Sequence, residues 1–259
     1  MNDPHTRSAR RYRFRGRTGY LIHPTLRSAH TLLALGHTAC VDPWQDAAMH
    51  VHGIAEEAFL LLHGRLKFVV ADFLITLQPN ELILIRPGIP HAIIGGEGEI
   101  EHIGIRAPAL DDKQERGGLP WGFKPTYEDS RLVIGEWGFR VPLTELQHQN
   151  CWLVGAGKAL FTSQHISLAY LDFPTTEAAN AGIGTRHQLH FHRESWEYYL
   201  VLQGTKTLQI EGKLITIQTG ELLEVPPYVR HTLHSRGAPY RGITVRVPVR
   251  LDDKISAEQ

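Results

Sequence analysis

The pattern His-x-His, four residues, Glu, six residues, Gly stands twice in this chain, and a further histidine follows each copy. The first copy is His50, His52, Glu57 and Gly64, then His91. The second is His190, His192, Glu197 and Gly204, then His231, each member 140 residues after its counterpart. Three imidazoles and one carboxylate are a donor set suited to a divalent first-row transition ion. Fe, Mn, Ni, Zn and Cu all accept such ligands, so one ion per copy is expected without its identity being set. Glu56 competes with Glu57 as ligand, but the offset selects Glu57, because Glu56 would pair with Trp196.

The elements that must position these residues follow from strand geometry. Residues i and i+2 of a strand share a face, so His50 and His52 project together, as do His190 and His192. Glu57 and Glu197 open the next strand, and parity puts Phe59 and Leu61, or Tyr199 and Val201, on the carboxylate's face. Phe59 and Tyr199 are therefore expected in the substrate pockets. Gly64 and Gly204 are expected to allow a hairpin. The last histidine comes from a distant strand, so the set converges only if the sheet curls into a barrel.

The repeat reaches beyond the ligands. LITLQPNELILIRPGIPH (Leu74–His91) parallels LITIQTGELLEVPPYVRH (Leu214–His231), and Arg106 and Pro108 match Arg246 and Pro248. A period this long is a duplicated domain, whereas a solenoid unit has roughly 20–50 residues. Short runs rich in Leu, Ile, Val and Phe, broken by Gly and Pro, read as strands at His30–His37, Ala58–His63, Arg65–Ala71, Phe73–Leu77, Glu81–Ile85, His91–Ile94 and Glu99–Arg106. The expected domains are residues 1–112 and 146–259, joined by a loop-like linker at 113–145 in which Thr144–Gln147 could cap a short helix.

These motifs resemble the paired signatures of the cupin superfamily, and because both halves carry them the chain resembles a bicupin. That resemblance implies an all-β fold of two tandem double-stranded β-helix (jelly-roll) barrels. It assigns His50, His52, Glu57 and His91 to one metal and His190, His192, Glu197 and His231 to another. The departures lie in the turns: Asn80 replaces a family Gly, Arg86 a family Pro and Tyr228 a family Gly. They place Arg86 and Tyr228 at the mouths of their pockets.

Composition narrows the function classes. Lys+Arg and Asp+Glu are both 27, so no global charge invites nucleic acid or an anionic membrane. The arginines at 7, 10, 11, 13, 15 and 17 read as a solvated tail or a strand capping a barrel, in preference to an anion- or RNA-binding arm. No apolar run approaches the roughly 18 residues of a membrane span. Cys40 and Cys151 read as reduced thiols of a cytoplasmic protein. His63, His102, His148, His165 and His234 have no repeat partner and are expected at the surface or in a satisfied core. His187 should face away from the ligands, and Glu194 should be exposed.

Three functions fit. The first is a metal-dependent dioxygenase of a small organic or aromatic substrate, with Glu57 or Glu197 moving a substrate proton as quercetinase-like cupins are proposed to do. The second is a non-redox isomerase, lyase or amidohydrolase with the ion as Lewis acid. The third is a non-catalytic metabolite binder. An oxalate-decarboxylase assignment finds no acid-bearing lid segment. The partner in every case is a small molecule, and the resemblance allows a homodimer.

Overall fold

The computed structural model describes residues 8–15, 18–22, 34–40, 48–118, 124, 126–146, 152–157, 159–181, 183 and 188–257. Contacts divide the chain into two units, Gly16–Leu146 and Met1–Arg15 with Gln147–Gln259. Each unit has one sheet of antiparallel and a few parallel strands, and each sheet rolls into a double-stranded β-helix barrel. The expected fold class therefore holds.

In the first barrel two long strands, Glu56–Val70 and His91–Ala107, pair antiparallel along most of their length. The register slips between Leu61 and Arg65 and again between Lys67 and Phe68. Before the slips Glu56–Val70 also pairs with Glu81–Ile85, and after them with Phe73–Leu77. The bulges thus fold one strand across both walls. Side-chain parity changes with them: Phe59 and Leu61 face the core on one side of the slip, Leu66, Phe68 and Val70 on the other. The core they form with Ile75, Leu77, Ile83, Ile85 and Ile93 is aliphatic and buried.

The second barrel repeats this with Trp196–Ile210 and His231–Val247, slipped at the corresponding places. Tyr199 and Val201, then Leu208 and Ile210, face its core. A five-residue helix, Thr176–Asn180, packs here, its first turn capped where the Thr175 hydroxyl accepts from the Ala178 amide.

One further strand covers the same place in each barrel. Gly138–Pro142 pairs with Glu81–Ile85, and Arg140 lies along it, donating from Nε (3.0 Å) and Nη2 (2.7 Å) to the buried Glu81 Oε2. In the second barrel Arg10–Arg13 pairs with Glu221–Val225, and Arg11 sits 4.0 Å from Glu221. Each barrel is therefore covered by a strand that precedes the other barrel in the sequence.

Several expectations change. Gly64 and Gly204 do not open hairpins; they sit inside continuous strands at φ of +79° and +81°, where an added Cβ would lie 2.2 Å from the Glu99 carbonyl oxygen or 2.4 Å from that of Gly237. Ala58–His63 and Arg65–Ala71 accordingly form one strand, as do His91–Ile94 and Glu99–Arg106. The 113–145 segment holds strands Lys113–Gly117, Thr126–Glu128, Val133–Gly135 and Gly138–Pro142, all paired within the first barrel. Residues 1–15 belong to the second unit, whereas the sequence placed them in the first domain. A 3-10 turn, Leu143–Leu146, stands at the expected helix. The early strand runs Ala34–Cys40; residues 30–33 lie outside the described residues, as do Arg7, Arg17, His148, Cys151 and His187.

Candidate metal centres

His50 and His52 lie on Met49–His52, and His190 and His192 on His190–His192. Both strands are short; each meets its long strand at one register pair, His50 opposite His91 and His190 opposite His231, and is flanked on its other side by Lys113–Gly117 or Lys254–Ser256. That pairing fixes two imidazoles across a strand gap, while the glutamate enters from the second residue of its long strand. In each barrel the four ligand atoms lie within 4.8 Å of one another.

The outer nitrogens explain how the rings are aimed. Nδ1 of His50, His91, His190 and His231 lies 2.8–3.1 Å from the carbonyl oxygen of the residue two positions earlier. His52 Nδ1 instead meets Asp112 at 2.9 Å, and His192 Nδ1 faces Asp253 at 3.3 Å. Donation from Nδ1, as in His52, leaves the Nε2 lone pair pointing inward; His192 Nδ1 faces Asp253 without a hydrogen bond. His52 Nε2 and His192 Nε2 are buried and have no hydrogen-bond partner, while His91 and His231 Nε2 rest 2.9 Å from Glu57 and Glu197. Buried acceptors without donors, gathered round one point, are satisfied by a cation. The donor set and its outer partners fit a divalent transition ion in both barrels.

Electrostatics agree with that arrangement. Burial would raise the Glu57 carboxyl, but the facing imidazoles of His50, His52 and His91 outweigh it and hold it well below the usual range. Glu197 is likewise low: burial opposes, and His231 and His192 prevail. Burial, then the neighbouring His231, pushes His190 down to about 3, so it stays a neutral ligand. Asp112 and Asp253 are lowered against burial by backbone and side-chain donors, Ala55 and Ile54 for one, Ser195 and Glu194 for the other.

Each centre opens into a cavity of about 300 Å³. Phe59 lines the first with His102, Arg106 and Lys113; Tyr199 lines the second with Trp152, Lys206, Arg236, Arg246 and Lys254. Arg86 and Tyr228, expected at the mouths, line neither cavity. The Arg86 guanidinium turns to the carbonyls of Gly135 and Glu136, 3.4 Å from each. Tyr228 takes the left-handed backbone (φ +66°) of the glycine it replaces, is 60% exposed, and stacks on Phe191. Glu194 is exposed and paired with Arg250.

Sequence reading missed several residues. Asp112 and Asp253 carry a signal, the triplet Asp-Asp-Lys at 111–113 and 252–254, but its offset is 141, one beyond the repeat. Arg106 and Arg246 matched at 140, and their cavity position comes only with the fold. Lys206 falls on the inward face solely because the bulges reverse parity. His102, set aside as background, is buried at the first cavity, where burial and then His37 lower it to about 4.

Residues 181–245 match the family model described as a cupin domain. Over 53 residues the chain is 40% identical to Oxidoreductase macE of Penicillium terrestre, a stretch that is 20% of this chain and 20% of that protein. Among solved structures, oxalate decarboxylase from Bacillus subtilis superposes with a TM-score of 0.59 at 16% identity, covering 95% of this chain and 78% of that one. Protein Ylba from E. coli gives 0.62 at 9% identity, covering 95% and 93%. Such likenesses establish the fold. Two barrels of the cupin fold, each with three histidines and a glutamate converging as a candidate metal site, are consistent with a bicupin.

Proposed function

We propose that this chain is a metal-dependent oxidoreductase, a dioxygenase of a small organic substrate, and that its second barrel carries the reaction. The observation that carries the reading is the second centre's combination of four convergent ligands with a cavity that Tyr199 enters. A redox-active divalent ion bound there supplies positions at which O2 and an oxygen donor of the substrate meet. The name of the Penicillium terrestre relative supports redox chemistry over the fifth of its length that matches.

The chain's own part is proton handling and orientation. The Tyr199 hydroxyl donates a short hydrogen bond to Glu197 Oε2. Burial, then the facing carboxylate, keeps that phenol well above its usual range, so it remains a donor. Glu197 is ionised and takes the proton of a substrate hydroxyl at Oε1, while Tyr199 holds the carboxylate in place through Oε2. In the first barrel Phe59 stands where Tyr199 does, so Glu57 has no such partner. Burial keeps His192 neutral, and Asp253 faces its Nδ1 at 3.3 Å.

Oxygen uptake with candidate catechols, flavonols and diketones, on Fe-, Mn- and Ni-loaded protein with and without air, tests the reading. Turnover indifferent to O2 would sink it in favour of non-redox Lewis-acid chemistry. Tyr199→Phe should retain its metal and lose at least about tenfold in kcat.

A further inference from the structure

Lys206 and Arg236 are a cross-strand pair of the second barrel, directly opposite one another in the register. Both line its cavity and both are buried, at 3% and 6% exposure. The Lys206 Nζ lies 3.7 Å from the centre of the Tyr199 ring, one aromatic side chain away from Glu197. Among the described residues neither cation has a carboxylate within ion-pair distance, and Arg236 Nε has no partner. Like charges facing one another across strands repel, and a buried unpaired charge is costly. Burial, then Arg236, lowers Lys206 well below its usual range.

The chain nevertheless holds this pair in place. Arg236 Nη1 donates to the Ala179 carbonyl at 2.5 Å, and its backbone amide and carbonyl bond to the Asn180 side chain at 2.7 and 2.9 Å. Both partners sit at the end of the Thr176–Asn180 helix. The first barrel has Leu66 opposite Gly96 at the equivalent positions. There the space is closed, since a Cβ on Gly96 would lie 2.0 Å from Ile100 Cδ1. A fixed guanidinium facing a buried lysine, both inside a cavity, is a receptor for an oxyanion: the planar fork matches a carboxylate, and the anion's charge favours the lysine's ammonium form.

We propose that the second cavity recognises its substrate by a carboxylate group held between Lys206 and Arg236, so that the substrate is a small organic acid. This rests on reading the second cavity as the substrate site, and it sharpens that reading to a chemical class. With Lys254 and Arg246 also lining the cavity, Glu197 is the single carboxylate among its lining residues. The acid's opposite end then lies toward the metal ligands.

Calorimetry with malonate, dimethyl malonate and inorganic phosphate on the full chain, as purified and after chelation, tests the proposal. Malonate should bind in both states, and the uncharged ester should not. Lys206→Leu, which installs the first barrel's residue, should weaken malonate at least about tenfold and raise the melting temperature of the ligand-free protein. Arg236→Lys should keep part of the affinity, and Arg236→Met should lose it. Undiminished malonate binding by Lys206→Leu, phosphate binding as tight as malonate, or no malonate binding by wild type each overturns the proposal. Metal content of the same samples separates the readings. Metal without malonate binding defeats the carboxylate site alone; Lys206-dependent malonate binding without metal defeats the proposed activity alone.

Discussion

Each of the six candidate ligand imidazoles has a partner facing its far nitrogen, and for two of them, His52 and His192, it is a carboxylate. Asp112 and Asp253 also accept backbone amides, at Ile54 and Ala55 for the first and at Arg193, Glu194 and Ser195 for the second, so each aspartate fastens a loop and a ring together. Asp253→Asn keeps the shape and loses the charge. Competition with a chromophoric chelator should find the second ion bound about 10–100-fold more weakly, the first unchanged. His102 gives a pH signature. Its folded pKa of about 4 lies below the ordinary 6.5, so between these values the unfolded chain binds the extra proton. The resulting stability is complete above pH 6.5, falls as pH drops toward 4, and amounts to about 3 kcal/mol. Urea titrations from pH 4 to 7 should show that segment flattened in His102→Gln. The eight candidate ligands were legible as two clusters because their types and spacing recur; the two aspartates were not, because one inserted residue moves them out of register.

At the scale of elements, the long bent strand decides which side chains look inward. Its hydrophobic alternation was readable on either side of Gly204, and the reversal between the sides was not, since a bulge adds a residue without marking it. Phe59 and Tyr199 lie before the slip and were placed on the inner face; Lys206 lies after it and by simple alternation would point out. The bend itself depends on glycine at a positive φ, with the Gly237 and Pro239 carbonyl oxygens 2.4 Å from an added Cβ. Gly204→Ala should cost about 3 kcal/mol in urea denaturation and should disturb the second centre more than the first. Arg86 and Tyr228 teach a related lesson. A substitution at a family turn position reports backbone geometry first, and Tyr228 accepts the left-handed conformation with its ring laid on Phe191.

Across the whole molecule, the repeat carries two candidate metal cages that open into different cavities. Metal analysis of purified protein should give two ions per chain, and His50→Ala and His190→Ala should each remove one. Retention of both ions in both variants would contradict the assignment. The domain borders were the least legible feature, because residues 113–142 and 10–13 carry weak local patterns and gain their meaning only from the strands beside them. Loss of residues 1–15 should lower the melting temperature of the second barrel and leave Glu221–Val225 as an open edge prone to self-association.

The exchange of covering strands also sets an order of assembly. Tyr12 bonds Glu224, a partner 212 residues further along. During synthesis Arg10–Arg13 emerges well before Glu221–Val225, the strand it pairs with, and has to wait for it. Contacts of such separation form slowly, and an unpaired strand is exposed until they do. A gene cut at the apparent border, after residue 146, would deliver a second barrel lacking one of its own strands. Supplying a peptide of residues 8–15 in trans should restore it, so the two barrels separate cleanly only when that strand travels with the second of them.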